Sequence, residues 1–313
     1  MNAEPKVSLL VRNLNEENNL KILFNRLESQ NYKNFEVVFL DSGSTDNSVE
    51  FVENFSANFQ IITNHIDKEE FTFGRALNKC IEYAKNPKYV ISLSAHCFPT
   101  DNNFIKNYVD IFEKNNSKIV FGAQLGYKDS MISEACHLNT WFSNDYGETS
   151  ENPFSNNGNC GYEYSIFSDF KFDEALTGCE DIDLARKILD SGYSIFYGDK
   201  IAVEHFHQES YKTVYLRYLR EAVALNSIFP YSFKFRHLLI GTIRETIRDI
   251  KFRRKTNAYQ NRSLIDILRY RFAKNVGHYK GFGLNKNIDS NIYYYPKIKN
   301  EKFTKNLYER YLA

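Results

Sequence analysis

The stretch FEVVFLDSGSTDNS, running from Phe35 to Ser48, sets the architecture. Its first part, Phe35–Leu40, is a short and nearly continuous apolar run, the pattern of a strand buried on both faces. The run stops at Asp41-Ser42-Gly43-Ser44-Thr45-Asp46, residue types that favour a tight polar turn. Val49, Phe51, Val52 and Phe55 then recur at helical spacing, with Ser44 or Asp46 positioned to cap the helix.

The same unit repeats on either side. Val7–Val11 (VSLLV) reads as a buried strand, followed by Arg12-Asn13-Leu14-Asn15-Glu16 and a helical recurrence of Leu20, Leu23, Phe24 and Leu27. Downstream, Gln60–Thr63 is a third strand, Phe73–Ala84 a helix and Tyr89–Leu93 a fourth strand. Alternation of this kind predicts an α/β fold with a mostly parallel sheet and right-handed crossovers. Ligands bind such sheets at the carboxyl ends of the strands. Arg12–Asn15, Asp41–Asp46 and Ser94-Ala95-His96-Cys97 are therefore the segments to weigh for function.

The totals narrow the class. With 42% hydrophobic and 25% charged residues, the 313-residue chain can bury a sizeable core. Net charge is +1, but between Tyr211 and Lys274 there are 15 Lys+Arg against 4 Asp+Glu, so positive charge gathers in the C-terminal part. Five scattered cysteines without a Cys-x-x-Cys pair argue against a disulfide framework or thiolate zinc site and fit a reducing compartment. No apolar run approaches membrane-spanning length, and the N-terminal apolar run is too short for a secretory signal; a cytoplasmic protein is expected.

Gly122–Tyr164, rich in Asn, Ser and aromatics, reads as a long irregular segment. Its Trp141 and Asn156-Asn157-Gly158-Asn159-Cys160 are expected to face substrate. A second informative stretch follows, FDEALTGCEDIDLARKILDSGYSIFYGDKIAVEHFH, from Phe172 to His207. Glu180, Asp181 and Asp183 crowd the start of a predicted helix, where they could simply complement its dipole. His205 and His207 close a predicted strand, and their spacing puts both on one face with Phe206 opposite. Beyond them, Tyr211–Phe229, Phe233–Arg254 and Arg262–Lys274 read as amphipathic helices with basic faces. The expected division is a catalytic domain over 1–210 and a basic, mainly helical extension over 211–313.

Taken together, four segments resemble the inverting family 2 glycosyltransferases of GT-A fold, including rhamnosyltransferase-like members, over roughly residues 6–210. VSLLVRNLNE is similar to that family's first nucleotide-binding strand, and FLDSGSTDNS to its DDGSTD loop. FTFGRALN resembles the F-x-x-G-x-A-R-N segment. FDEAL and GCEDIDLARKILDSGY follow the FDE–GxEDxDLxxRxxxxGY pattern. Each is weak alone, but the four stand in the family's order.

The resemblance implies a sugar transferred from a nucleotide-sugar donor to a surface polysaccharide, glycolipid or lipid-linked glycan. It makes Asp181 the base that deprotonates the acceptor, with Glu180 in reserve. It gives Asp41 the nucleotide base, and Arg12, Asn13, Asn15, Arg75, Ser94 and His96 the remainder of the donor. The family usually carries Asp-x-Asp, holding Mg²⁺ or Mn²⁺, where this chain reads Ser94-Ala95-His96. His96 is either a ligand, joined by His205 and His207, or a neutral phosphate donor in a metal-independent enzyme. Asp183 is expected to pair with Arg186 or cap its helix, and Asp46 to cap. The basic helices are either a solvated face or an attachment to anionic membrane, which suits a lipid-linked acceptor. No nucleic-acid motif accompanies their charge. Two rival readings are a non-catalytic module that binds a glycan or partner, favoured by the lost Asp-x-Asp, and a nucleotidyltransferase. The latter would need a glycine-rich phosphate loop, and Arg12–Glu16 contains no glycine.

Overall fold

The computed structural model describes residues 4–142, 147–149, 151–207, 209–229, 233–256 and 263–284. Among these residues nine strands form one sheet in the order β3-β2-β1-β4-β8-β6-β9-β5, with β7 on β9. The N-terminal half is parallel, as its sequence predicts: β1 (Val7–Asn13), β2 (Phe35–Asp41), β3 (Gln60–His65) and β4 (Tyr89–Ser94) pair side by side. Their apolar runs are continuous because both faces are covered. Val7, Leu9, Val11, Val37 and Phe39 join one core with α1 (Glu17–Glu28) and α4 (Phe104–Lys114). Leu10, Val38 and Leu40, on the other face, join a second core with α3 (Phe73–Tyr83) and α6 (Glu180–Asp190).

Register decides where the polar ends fall. Asn13 lies opposite Asp41, and Arg12 opposite Ser94, so the segments after β1, β2 and β4 open on one edge of the sheet. Between β2 and β3 runs α2 (Ser48–Asn54). Asp46 Oδ1 accepts from the Ser48 amide at its start, and Asp46 Oδ2 from the Glu17 amide at the start of α1, so one carboxylate caps two helices.

Gly122–Tyr164 is not the irregular segment expected. It holds the end of β6 (Ile119–Gly126), then α5 (Ile132–Trp141), β7 (Gly147–Thr149) and β8 (Asn159–Glu163). β8 inserts antiparallel between β4 and β6, making the sheet mixed. The polar composition that suggested a loop comes from crowding. A Cβ on Gly122 would lie 1.9 Å from the Ile201 carbonyl of β9 (Ile195–His205), and Asn159 Nδ2 bonds both that carbonyl and Ala123's. Small and amide side chains stand where chains cross too closely for larger ones.

β5 (Cys97–Pro99) pairs antiparallel with β9, Cys97 opposite His205. Between β8 and β9 come η1 (Tyr164–Ser168) and α6, and beyond β9 the described residues form three helices: α7 (Tyr211–Ile228), α8 (Phe235–Lys255) and α9 (Leu264–Gly283). The five cysteines are free. Among the described residues, no helix is long and apolar enough to cross a membrane.

Candidate active site

The acidic pair sits where strand-end loops meet α6. Cys179, just before it, adopts a left-handed backbone (φ 56°) that turns the chain into the helix. Asp181 is buried, and its carboxylate accepts from two backbone amides, Asn157 (2.8 Å) and Ile182 (2.8 Å). Burial, reinforced by the neighbouring Glu180 charge, pushes its pKa up to about 7. Glu180 accepts from the Asn157 side-chain amide at 3.0 Å and faces Arg12 at 3.6 Å. Asn157 also takes the Tyr162 hydroxyl on its Oδ1 and gives its carbonyl to Ser92. Expected at the substrate, it is instead a buried bracket that holds both carboxylates to β4 and β8. Asp183 pairs with Arg186 (3.2 Å) and Lys187 (2.6 Å), as its spacing suggests.

Arg12 and Arg220 flank Phe73, with guanidinium carbons 5.5 and 4.6 Å from the ring centroid. Arg12 Nη1 and Arg220 Nε are both buried without a hydrogen-bond partner. Burial lowers the Arg220 pKa, partly offset by Glu221. Two cations on one ring, incompletely satisfied by the protein, make an anion-seeking pair. Arg220 was not legible as a site residue. It comes from α7, which braces the loop before Glu180 through Thr177 Oγ1 to the Arg220 carbonyl (2.9 Å).

The donor-side residues divide. Asn13, Asn15 and Asp41 lock the first two strand-end loops together. Asp41 receives Asn13 Nδ2, Ser44 Oγ and the amides of Gly43 and Ser44. Asn15, itself left-handed at φ 56°, accepts from the Thr45 amide at 2.7 Å. A base N–H would have to displace one of Asp41's four donors. Arg75 turns toward Glu174 (2.8 Å) and the Glu70 carbonyl, tying α3 to the 172–174 loop. Asn78 reinforces that tie by bonding Phe172 in both directions. Ser94 ends β4 beside Arg12.

Three histidines from distant sequence positions converge. One ring nitrogen each from His96, His205 and His207 lies within 4.8 Å of the others. Pairing of β5 with β9 does this, since the Phe206 amide bonds the His96 carbonyl at 3.1 Å and leaves the imidazoles on one side. Phe206 points away onto Tyr127, as strand alternation predicts. Each ring has Nδ1 engaged: His96 with Glu16 (2.9 Å), His205 with Gln124 Oε1 (2.7 Å), His207 with Glu134. An Nδ1–H given to an oxygen acceptor leaves Nε2 with its lone pair, the arrangement found around metal-bound imidazoles. Burial takes the His205 pKa well below its ordinary value, with His207 and His96 adding to the fall. For His207, burial is outweighed by the Glu134 carboxylate and the pKa rises. Arg217 completes the surround, giving Nε to Glu209 Oε1 and Nη2 to Oε2 and lying 3.6 Å from Glu134. Glu16, Gln124, Glu134 and Arg217 could not be placed at the site by spacing alone. A nitrogen-rich set with oriented Nδ1 partners fits a divalent ion of the Mn²⁺-to-Zn²⁺ series better than Mg²⁺, which prefers oxygen.

A cavity of about 220 Å³ is lined by Trp141, Phe154, Leu225, Phe229 and Ile182, the residue that follows Asp181, among others. Trp141 is 47% exposed at its mouth.

A mostly parallel sheet flanked by helices, with an acid pair at a helix start and polar strand ends on one edge, defines a GT-A glycosyltransferase. Residues 8–174 match the Glycosyl transferase family 2 model, and the chain belongs to that family. It is 23% identical over 210 residues to the O-antigen chain rhamnosyltransferase WbaN of Salmonella anatum, covering 64% of this chain and 65% of that protein. To RfbN of Salmonella typhimurium, another O-antigen chain rhamnosyltransferase, identity is 24% over 228 residues, 70% and 72% of the two chains. The fold is also that of the mannosyltransferase PcManGT of Pyrobaculum calidifontis, solved with GDP-Man and Mn²⁺ (TM-score 0.58, 14% identity, 88% of each chain).

Proposed function

We propose that this protein is an inverting transferase that moves a hexosyl or deoxyhexosyl group from a nucleotide-sugar to a growing surface polysaccharide or lipid-linked glycan. The observation that carries the reading is Asp181: buried, fixed by two backbone amides, with its pKa pushed up to about 7 and the next residue, Ile182, lining a cavity. A base must be ionised at working pH yet basic enough to take a proton, and a carboxyl titrating near 7 meets both conditions. The acceptor hydroxyl gives its proton to Asp181 as its oxygen bonds the anomeric carbon. On the opposite face the bond to the diphosphate oxygen breaks and its electron pair leaves with the nucleotide. Trp141 offers an aromatic face for the acceptor glycan beside Ile182, the residue that follows the base.

Arg12 and Arg220 take the charge of the departing diphosphate, which supplies what their buried nitrogens lack. Asn13, Asn15, Asp41 and Ser94 hold the strand-end loops that receive the nucleotide. His96, His205 and His207 would hold a divalent ion, which when bound neutralises diphosphate charge. Mn²⁺ in the PcManGT structure supports a metal here, although this chain lacks the usual Asp-x-Asp. The two O-antigen rhamnosyltransferases support rhamnose as the sugar and an O-antigen-type chain as the acceptor. Both substrates suit a cytoplasmic site. Asp181→Asn tests the assignment: transfer should collapse while donor affinity, by titration calorimetry, stays within a few-fold. Turnover near that of the parent would remove Asp181 from the role, whereas a parent protein that neither transfers nor hydrolyses a nucleotide-sugar would favour a binding module.

A further inference from the structure

We infer that the outer face of the α8–α9 hairpin is a docking surface for an anionic lipid bilayer. The two helices run antiparallel, because Asp249 pairs with Arg271 and Glu245 with Lys274, both at 2.6 Å. Of the thirteen large apolar side chains that stand exposed among the described residues, nine lie on these helices. Leu239, Ile243 and Ile247 recur along α8 at a spacing of four, and Ile265, Leu268 and Phe272 form a stripe at spacings of three and four on α9. Exposed apolar residues are ordinary when scattered. A contiguous stripe of aliphatic and aromatic side chains marks a surface that something covers.

Charge selects the occupant. Every acid of the hairpin is engaged inward: Glu245 with Lys274 and Asn275, Asp249 with Arg271, and Asp266 with the Tyr211 hydroxyl. Every exposed charge on the two helices is positive, namely Arg236, Arg244, Lys251, Arg254, Lys255 and Arg269. Apolar stripe and basic rim together are the chemistry of a helix lying in the headgroup layer of acidic lipid. A second copy would bring two like-charged rims face to face in a symmetric dimer. Residues 285–313 carry 6 Lys+Arg against 3 Asp+Glu, the same sign again. An anionic bilayer is the occupant of opposite charge. The inference stands independently of the transferase reading. Should both hold, α7 packs on α9 through Tyr215, Leu219 and Val276 while carrying Arg220 to the acid site. That link would keep the site at a fixed height over the membrane.

The test is co-sedimentation of the full chain with vesicles of pure phosphatidylcholine or with 30% phosphatidylglycerol (a composition in the range where surface charge is substantial, roughly). We expect binding to the acidic vesicles alone, weakened by salt. The Ile243→Glu/Ile247→Glu variant and the Arg244→Glu/Lys251→Glu variant should each lose it at least about tenfold. Circular dichroism checks that each variant is folded, and donor binding in solution should stay unchanged. No binding by the parent protein, or binding retained in both variants, would overturn the proposal. So would sedimentation showing a dimer that Ile243→Glu/Ile247→Glu splits, since a second copy would then own the face.

Discussion

The Nε2 atoms of His205 and His207 lie 3.2 Å apart, while Gln124 and Glu134 hold the two Nδ1 atoms. Two lone pairs facing each other at that distance repel unless a proton or a cation sits between them. A divalent ion without nucleotide should therefore stabilise the protein. Near a hundredfold excess over Kd the gain is about 2.7 kcal/mol, or roughly 5 °C in Tm for a chain of this size. Mn²⁺, Co²⁺ or Zn²⁺ should produce that shift and Mg²⁺ little of it. His96→Ala should abolish most of it, as read by thermal unfolding with metal alone. Equal shifts in parent and variant would mean that the ion binds elsewhere.

Asp181 sets the pH dependence. Its pKa of about 7 lies above the roughly 3.9 of an unfolded Asp, so the folded state holds a proton that the unfolded chain releases between those values. Stability from this group thus falls as pH rises from about 4 to about 7, and Asp181→Asn should flatten that slope in urea titrations at pH 5 and 8. Activity runs the other way, because the base must be ionised. Turnover should rise about tenfold per pH unit below 7 and level off above it. The loss on Asp181→Asn should be on the order of 10²–10⁴ at pH 8.

How much of this the sequence carried can be told from particular residues. Val7–Val11 and Phe35–Leu40 announced buried parallel strands because each lies between two helical layers. The His205/His207 pair was visible because a two-residue alternation fixes which way side chains point, whereas Asp181 stood out from other acids at helix starts only through the family pattern that its segment resembles. α5 was hidden: Ile132, Glu134, Ala135, Cys136 and Leu138 are all buried, so it has little of the one-sided stripe that reveals a surface helix. Glu134 meets His207 across 73 positions, and Arg220 meets Phe73 from a helix that looked like an appendage. Contacts of that range leave no local periodicity to read.

Asn157 is predicted to matter for both stability and turnover. Asn157→Ala keeps the backbone amide that Asp181 needs. It removes the donor to Glu180 (3.0 Å) and the acceptor of the buried Tyr162 hydroxyl (2.7 Å). Leaving such groups unpaired costs about 1–3 kcal/mol, measurable by chemical denaturation. Turnover should fall as Glu180 loosens, with donor affinity little changed. An unaffected denaturation midpoint would mean that water replaces both bonds.

Gly74 opens α3 directly against the loop that carries Asp173, and a Cβ there would lie 2.4 Å from the Asp173 carbonyl oxygen. Backbone cannot yield as a flexible side chain can, so Gly74→Ala should push the loop away. It would strain the bonds from Arg75 and Asn78 to Glu174 and cost on the order of 1–3 kcal/mol. Ala76→Gly, two residues on, creates no clash and serves as the control for helix propensity.

Arg220 separates a donor-binding role from a packing one. If its guanidinium meets the diphosphate, Arg220→Ala should raise the donor KM by about tenfold or more, the loss of a charge-assisted hydrogen bond. Arg220→Lys, which keeps the charge but not the planar fork, should recover part of that loss. Steady-state kinetics with varied donor, beside a melting curve for each variant, distinguishes the two. A purely structural Arg220 stacked on Phe73 would instead lower Tm in both variants. It would leave KM where it was, because a stack on the Phe73 ring, 4.6 Å from guanidinium carbon to ring centroid, makes no contact with donor.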